Sequence, residues 1–183
     1  MELKKYIKIY DNFINYETLS ILIRYINCLE FKDAHIGGEL SVNKEIRNTF
    51  CADLSMTSDS LSEVHWHNYL ANIFSKGYLS YSKEFGNFSL SDLEIVQILK
   101  YEQGGFYIEH TDHFNLRPRT LSGIFLLNND YEGGELCFRL DNKDYVIEKK
   151  PNRFIVWPSN FMFPHRVNKV TKGVRYSAVS WIL

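Results

Sequence analysis

The feature that most constrains this chain is a change of pattern near residue 90. From there to Leu183, short apolar runs rich in β-branched and aromatic residues follow one another. Candidate strands span 94–101, 106–112, 121–128, 135–140, 145–148, 153–157, 165–170 and 174–182. Gly104-Gly105, Asn128-Asn129-Asp130, Gly133-Gly134, Asp141-Asn142 and Lys172-Gly173 punctuate them with turn chemistry. About eight short strands in this rhythm predict a mainly β fold with a jelly-roll core.

Before residue 90 the periodicity is helical. Leu19, Leu22, Ile23, Ile26 and Leu29 recur on one face, so a helix is expected over 16–29 with Asn15 as its N-cap. Ser60-x-x-Glu63 has the capping-box pattern and opens a second helix, with a break expected near Gly77 and an end before Gly86. Residues 32–58 read as loop, with a short strand around Arg47. The expected organisation is one domain over 1–183, with 1–90 as a mainly helical support for a jelly-roll core over 91–183. A chain of 183 residues can bury a core of this kind without disulfide staples.

Charge and cysteine usage narrow the functional classes. A formal net charge of -1 gives no global attraction to nucleic acid or to an anionic membrane. No apolar run approaches the ~20 residues of a spanning helix, and Met1–Tyr6 lacks the apolar core of a signal peptide. Cys28, Cys51 and Cys137 are odd in number and widely spaced, which points to reduced thiols in a cytoplasmic setting.

The chemistry concentrates in Tyr101–Asp112. His110 and Asp112 are two apart, a spacing that on a strand puts an imidazole and a carboxylate on one face. A second histidine would complete a 2-His-1-carboxylate triad, which leaves metal positions open for a co-substrate and oxygen. His165, at the start of a later candidate strand, is a candidate, since a jelly roll can bring distant strands together. Along the last strand, alternation groups Arg175, Ser177, Val179 and Trp181 on one face. An inward arginine is costly unless it meets an anion, and its planar fork suits a carboxylate.

These blocks together resemble the prolyl 4-hydroxylase-like branch of the iron(II)/2-oxoglutarate-dependent dioxygenases. The resemblance rests on Tyr101…His110-Thr111-Asp112, Tyr131-Glu132-Gly133-Gly134-Glu135-Leu136, Trp157-Pro158-Ser159…His165-Arg166-Val167 and Gly173-Val174-Arg175-Tyr176-Ser177…Trp181. It implies that His110, Asp112 and His165 ligate Fe(II). It implies that Arg175 pairs with the distal carboxylate of 2-oxoglutarate, with Tyr101 and Ser177 hydrogen-bonding nearby. It implies O2 as the other co-substrate and admits ascorbate as an accessory. The implied reaction is hydroxylation of a prolyl residue in a peptide or protein, with succinate and carbon dioxide formed. A free amino acid or other small molecule is the alternative substrate, and a jelly-roll sensor that binds metal and 2-oxoglutarate is the non-enzyme alternative. Retention of Asp112 implies hydroxylation rather than halogenation. One position departs from the pattern: where some relatives carry a carboxylate-binding tyrosine on the third strand, this chain has Leu126.

Other conspicuous residues have plainer readings. His65 and His67 flank Trp66 on a helix, where residues two apart diverge, so they are expected at the surface. His35 reads as a polar-loop residue, Arg47 as an exposed arginine with entry into the substrate mouth as the alternative, and His113 as a solvated neighbour of the motif with a role behind the ligands or toward substrate as the alternative. Gly133-Gly134 reads as a tight turn, since no phosphate-loop context follows.

Overall fold

The computed structural model describes residues 2–36, 41–116 and 118–183. Residues 37–40, within the segment read as loop, lie outside the described residues. After a 3-10 turn at Leu3–Tyr6, the first half runs β1 (Lys8–Asp11), α1 (Tyr16–Ile26), β2 (Lys32–Asp33), β3 (Arg47–Asn48), β4 (Phe50–Leu54) and α2 (Leu61–Glu84). The second half runs β5 (Val96–Tyr101), β6 (Phe106–His110), β7 (Leu121–Leu126), β8 (Glu132–Gly133), β9 (Leu136–Leu140), β10 (Lys143–Val146), β11 (Arg153–Pro158), β12 (His165–Val167), β13 (Val170–Lys172) and β14 (Arg175–Ile182).

The strands form two facing sheets. The larger has the order β1-β11-β7-β14-β5-β4-β2, and the smaller β10-β9-β12-β6-β3. The four strands β11, β7, β14 and β5, set against β10, β9, β12 and β6, make the expected eight-stranded jelly roll. A short β13–β8 pair stands beside them.

The large sheet is buried on both faces, which explains its apolar runs. On β7, Leu121 and Phe125 pack toward the helices, while Ile124 and Leu126 face the barrel interior. On β11, Phe154 and Val156 face the helices, and Ile155 and Trp157 the interior. On β14, Ala178 and Ile182 face outward against the helices, while Val179 and Trp181 point inward. The alternation expected for Arg175 to Trp181 therefore holds.

The first half adds short strands to its two helices. Its strands β1 and β4 extend the large sheet, and β3 extends the small one at Arg47 as expected. These strands are two to five residues long, too short for alternation to show in the sequence. Asn15 caps α1 by accepting the Glu17 N–H at 2.7 Å. α1 ends at Ile26 rather than at Leu29, because the N–H groups of Cys28 and Leu29 turn to the carbonyls three residues back. Ser60 caps α2 at the Glu63 N–H, but Glu63 does not reach back to Ser60. Its carboxylate takes the Ser55 N–H and the Ser58 hydroxyl instead, so the capping box is half formed.

The break expected at Gly77 is absent, and α2 runs unbroken from Leu61 to Glu84. The glycine serves packing. A Cβ at Gly77 would sit 2.2 Å from Cε1 of Phe154, a fully buried ring on β11. The missing side chain lets α2 lie down on the sheet.

Candidate metal centre

The two histidines meet because β6 and β12 are antiparallel neighbours and His110 is the cross-strand partner of His165. Their ring centroids are 4.4 Å apart. Asp112 lies just past the end of β6, not on the strand as the spacing had implied. Its carboxylate still reaches both rings: Oδ1 is 3.5 Å from Nε2 of His110, and Oδ2 is 3.5 Å from Nε2 of His165. One ligand atom from each residue falls within a 4.8 Å span. Donors sharing one ion through bonds of about 2.0–2.2 Å stand at most about 4.4 Å apart, and the two 3.5 Å spacings meet that.

Each donor is oriented from behind. Nδ1 of His110 lies 2.8 Å from the Ile108 carbonyl, and Nδ1 of His165 lies 3.1 Å from that of Phe163. A carbonyl only accepts, so each Nδ1 carries the proton and each Nε2 keeps its lone pair for a metal. The Ser122 hydroxyl donates to Oδ2 of Asp112 at 2.6 Å, and Ser159 lies 2.7 Å from Ser122. Stacking fixes the rings. Tyr107 stacks on His110 at 3.6 Å, and Trp157 meets the His165 ring edge-on at 4.9 Å.

The electrostatics suit a cation. Burial pushes the Asp112 carboxyl up, but His165 and His110 outweigh it and hold the group well below the usual carboxylate range. Burial lowers His165 to about 4 against the opposing pull of Asp112. At neutral pH the cluster therefore contains an anionic carboxylate beside a neutral, ligand-ready His165.

A cavity of about 440 Å³ opens over these groups. Tyr101, Leu99, Leu136 and Val179 are among its inner walls, and His35, Arg47, Asp53 and Phe114 also line it. Arg175 is buried behind Tyr101, with its guanidinium carbon 5.0 Å from the tyrosine ring centre. Its Nη1 donates to Ser177 at 2.9 Å, while Nε and Nη2 have no partner. Among the described residues no carboxylate pairs with it. A buried guanidinium with two idle nitrogens is strongly disfavoured unless an anion arrives.

The structure thus gathers the six residues singled out from the sequence into two groups, with Tyr101 of the second lining the cavity over the first. His110, Asp112 and His165 share a centre, and Tyr101 and Ser177 flank Arg175. Leu126 faces the same interior as Tyr101. His65 leans on Tyr69 and Trp66, and His67 meets Asn68, so neither joins a metal group among the described residues. His113 turns to the Arg119 carbonyl. Arg47 lines the cavity, in line with the alternative that it enters the substrate mouth, and so does His35, read as a loop residue. Arg47 donates to the His35 carbonyl at 2.8 Å, lies over the Tyr107 ring and keeps a buried Nε with no partner. Arg119, which has no signal in the sequence, lines the cavity too: it pairs with Glu94 and lies 3.7 Å over the Trp181 ring. No motif announces either arginine.

Residues 96–183 match the family model described as the 2OG-Fe(II) oxygenase superfamily. This segment is a 2OG-Fe(II) oxygenase domain. Fe(II), 2-oxoglutarate and O2 are the cofactor and co-substrates of that superfamily, and the donor set and unpaired arginine fit them. A curated relative from Synechococcus sp., a PKHD-type hydroxylase, is 34% identical over 90 residues, covering 45% of this chain and 39% of the relative. One from Picosynechococcus sp. is 37% identical over 87 residues, with the same coverage of each chain. The chain thus matches well under half the length of these relatives. Among solved structures, a prolyl hydroxylase from Trichoplax adhaerens, in complex with a hypoxia inducible factor peptide fragment, superposes with a TM-score of 0.78 at 22% identity, covering 97% of this chain and 83% of that one. A Pseudomonas putida prolyl-4-hydroxylase gives 0.76 at 21%, covering 97% and 92%. The oxygenase domain therefore has the fold of prolyl hydroxylases.

Proposed function

We propose that this chain hydroxylates a prolyl residue in a peptide or protein, using Fe(II), 2-oxoglutarate and O2 and releasing succinate and carbon dioxide. The observation that carries the reading is the His110–Asp112–His165 cluster at the cavity together with a buried, under-satisfied Arg175 behind Tyr101, a residue of the same cavity wall. The prolyl hydroxylases that share the fold, and the PKHD-type hydroxylases that share the sequence, support the substrate class.

His110, Asp112 and His165 would hold the iron through two Nε2 atoms and one carboxylate oxygen. Bound there with 2-oxoglutarate, iron(II) supplies the means to split O2, placing one oxygen atom in succinate and the other in a substrate C–H bond. The protein orients and excludes. Arg175 takes the distal carboxylate through Nε and Nη2, while Ser177 fixes the fork and Tyr101 covers its face. Ser122 holds the Asp112 carboxylate by its Oδ2 and so would fix its orientation between the two histidines for the metal. Trp157, Val179 and Leu136 give the cavity an apolar lining that limits stray water near the reacting carbon. Arg47 at the cavity wall offers a donor to substrate.

In this reading the whole chain is one oxygenase domain, because β1 and β4 complete the sheet that carries Arg175. Cytoplasmic residence accords with three free cysteines. No helix among the described residues is long and apolar enough to cross a membrane. The test is anaerobic loading with Fe(II) and 2-oxoglutarate, then O2 and a panel of proline-containing peptides and free metabolites, read by mass spectrometry. A peptide that gains one oxygen atom at proline in step with succinate supports the proposal. Oxygen gain only on a small molecule, or none on any component, overturns the prolyl substrate.

A further inference from the structure

The Tyr131-Glu132-Gly133-Gly134 turn has a geometry that a plain turn does not need. Tyr131 is 5% exposed and packs in the interior cluster with Tyr101, Leu126 and Trp157. Two glycines in the left-handed region bring it against the Arg175 segment. A Cβ at Gly134 would lie 3.1 Å from Cε2 of Tyr131 and 3.2 Å from Cδ of Arg175. A Cβ at Gly173 would lie 3.1 Å from the Tyr131 Cα and 2.8 Å from the Asp130 carbonyl oxygen. Both close approaches exclude larger residues, and both serve one juxtaposition, the Tyr131 ring beside the Arg175 side chain.

Charge agrees with this placement. Burial raises the Tyr131 phenol above its ordinary value, and the Arg175 guanidinium opposes that rise more than any other group. The phenol remains a neutral donor beside a cation. A carboxylate bound by Arg175 has more lone-pair sites than the two idle guanidinium nitrogens fill. Leu126, on β7, has no polar atom to offer.

We infer that Tyr131 donates its phenolic O–H to the distal carboxylate held by Arg175, replacing from a loop the tyrosine that Leu126 displaces from the third strand. The inference rests on the co-substrate reading above, and its test separates the two. The full-length protein is loaded anaerobically with Mn(II), and 2-oxoglutarate is titrated by calorimetry against 2-oxopentanoate, which keeps the 2-oxo acid and replaces the distal carboxylate with a methyl group. A lost hydrogen bond to a charged group should weaken 2-oxoglutarate binding about 10- to 100-fold in Tyr131→Phe. Binding of Mn(II) and of 2-oxopentanoate should stay at the unmodified level, which also shows that the variant is folded. Equal 2-oxoglutarate affinity in both proteins overturns the role of Tyr131, as does an equal loss for both oxo acids. An unmodified protein that binds Mn(II) but no 2-oxoglutarate overturns the co-substrate reading itself, and Tyr131's role falls with it.

Discussion

The two halves of the molecule divide their work unevenly. The half from Val96 onward holds His110, Asp112, His165 and Arg175, all on or beside strands of the jelly roll. The half before it supplies two helices that cover the large sheet, and short flanking strands that bring Arg47 and Asp53 to the cavity wall. Chemistry needs donors held within a few tenths of an ångström, and neighbouring strands inside the two facing sheets provide that rigidity. Support needs only burial and closure. Substitutions in the later half should therefore remove ligands while the fold survives. Those in the earlier half should cost stability while the metal centre survives.

The sharpest break of this comparison is at the metal. His165→Ala removes a donor whose ring is buried between Trp157 and His110. We expect Mn(II) or Fe(II) binding to fall by several orders of magnitude and coupled 2-oxoglutarate turnover to vanish, with the far-ultraviolet circular dichroism spectrum unchanged. Metal bound with native affinity would remove His165 from the site. Next is Arg175→Ala, which should weaken 2-oxoglutarate by about 10- to 100-fold or more, since its charged hydrogen bonds are each worth roughly 1.5–3 kcal/mol. Mn(II) affinity should not change. A loss of metal and co-substrate together would mean that Arg175 organises the core instead of meeting an anion.

The sequence exposed these halves to different degrees. The His110-x-Asp112 spacing, the alternation from Arg175 to Trp181 and the glycine turns marked the later half, and the eight-residue β14 is long enough to impose a strict period on the residues it buries. The precise geometry still escaped. Asp112 reaches the centre from beyond the strand, held by Ser122, and serine spacing alone reveals no such partner. In the earlier half, β2 and β3 are two residues each and gain their order from neighbours distant in sequence. Arg47 owes its place at the cavity to pairing with Tyr107 across β6, a contact that no local pattern encodes. Gly77 misled for a related reason: helix propensity weighs a glycine by its backbone freedom, but here Phe154 decides.

Gly77 tests the supporting half directly. Gly77→Ala improves intrinsic helix propensity by about 1 kcal/mol. It also drives a methyl group into Phe154, whose ring is already stacked on Phe13 at 4.8 Å and has no exposed side to move toward. Overpacking of this kind costs about 1–3 kcal/mol, so the collision should match or exceed the gain. We expect a net loss of up to about 2 kcal/mol in urea unfolding, with Mn(II) affinity intact below the transition. A variant more stable than the parent would show that the ring has room. Loss of metal affinity without loss of stability would erase the division between the halves.

The smallest effect lies where the halves are stitched together. Asp11 on β1 faces Arg153 on β11 in register, with Oδ1 2.7 Å from Nε and Oδ2 3.0 Å from Nη2, and Lys150 adds a third contact. The hydrogen bond from Arg153 dominates and lowers the Asp11 carboxyl from 3.8 to about 2, against a smaller burial effect. A folded-state value below the unfolded one means that the ion pair stabilises fully above the unfolded value. That contribution fades as pH falls from about 4 through about 2. Because Asp11 is one-third exposed, screening limits it to no more than about 1 kcal/mol. The measurement is urea unfolding of the metal-free protein beside Asp11→Asn, at neutral pH and in steps down to about pH 2. Subtracting the two curves cancels the acid sensitivity that both share through Asp112. The parent should be the more stable near neutrality, and the gap should close across that acid window. A gap that persists at the lowest pH would show that Asp11 holds β1 by shape alone, and the seam between the halves would then be packing with no electrostatic part.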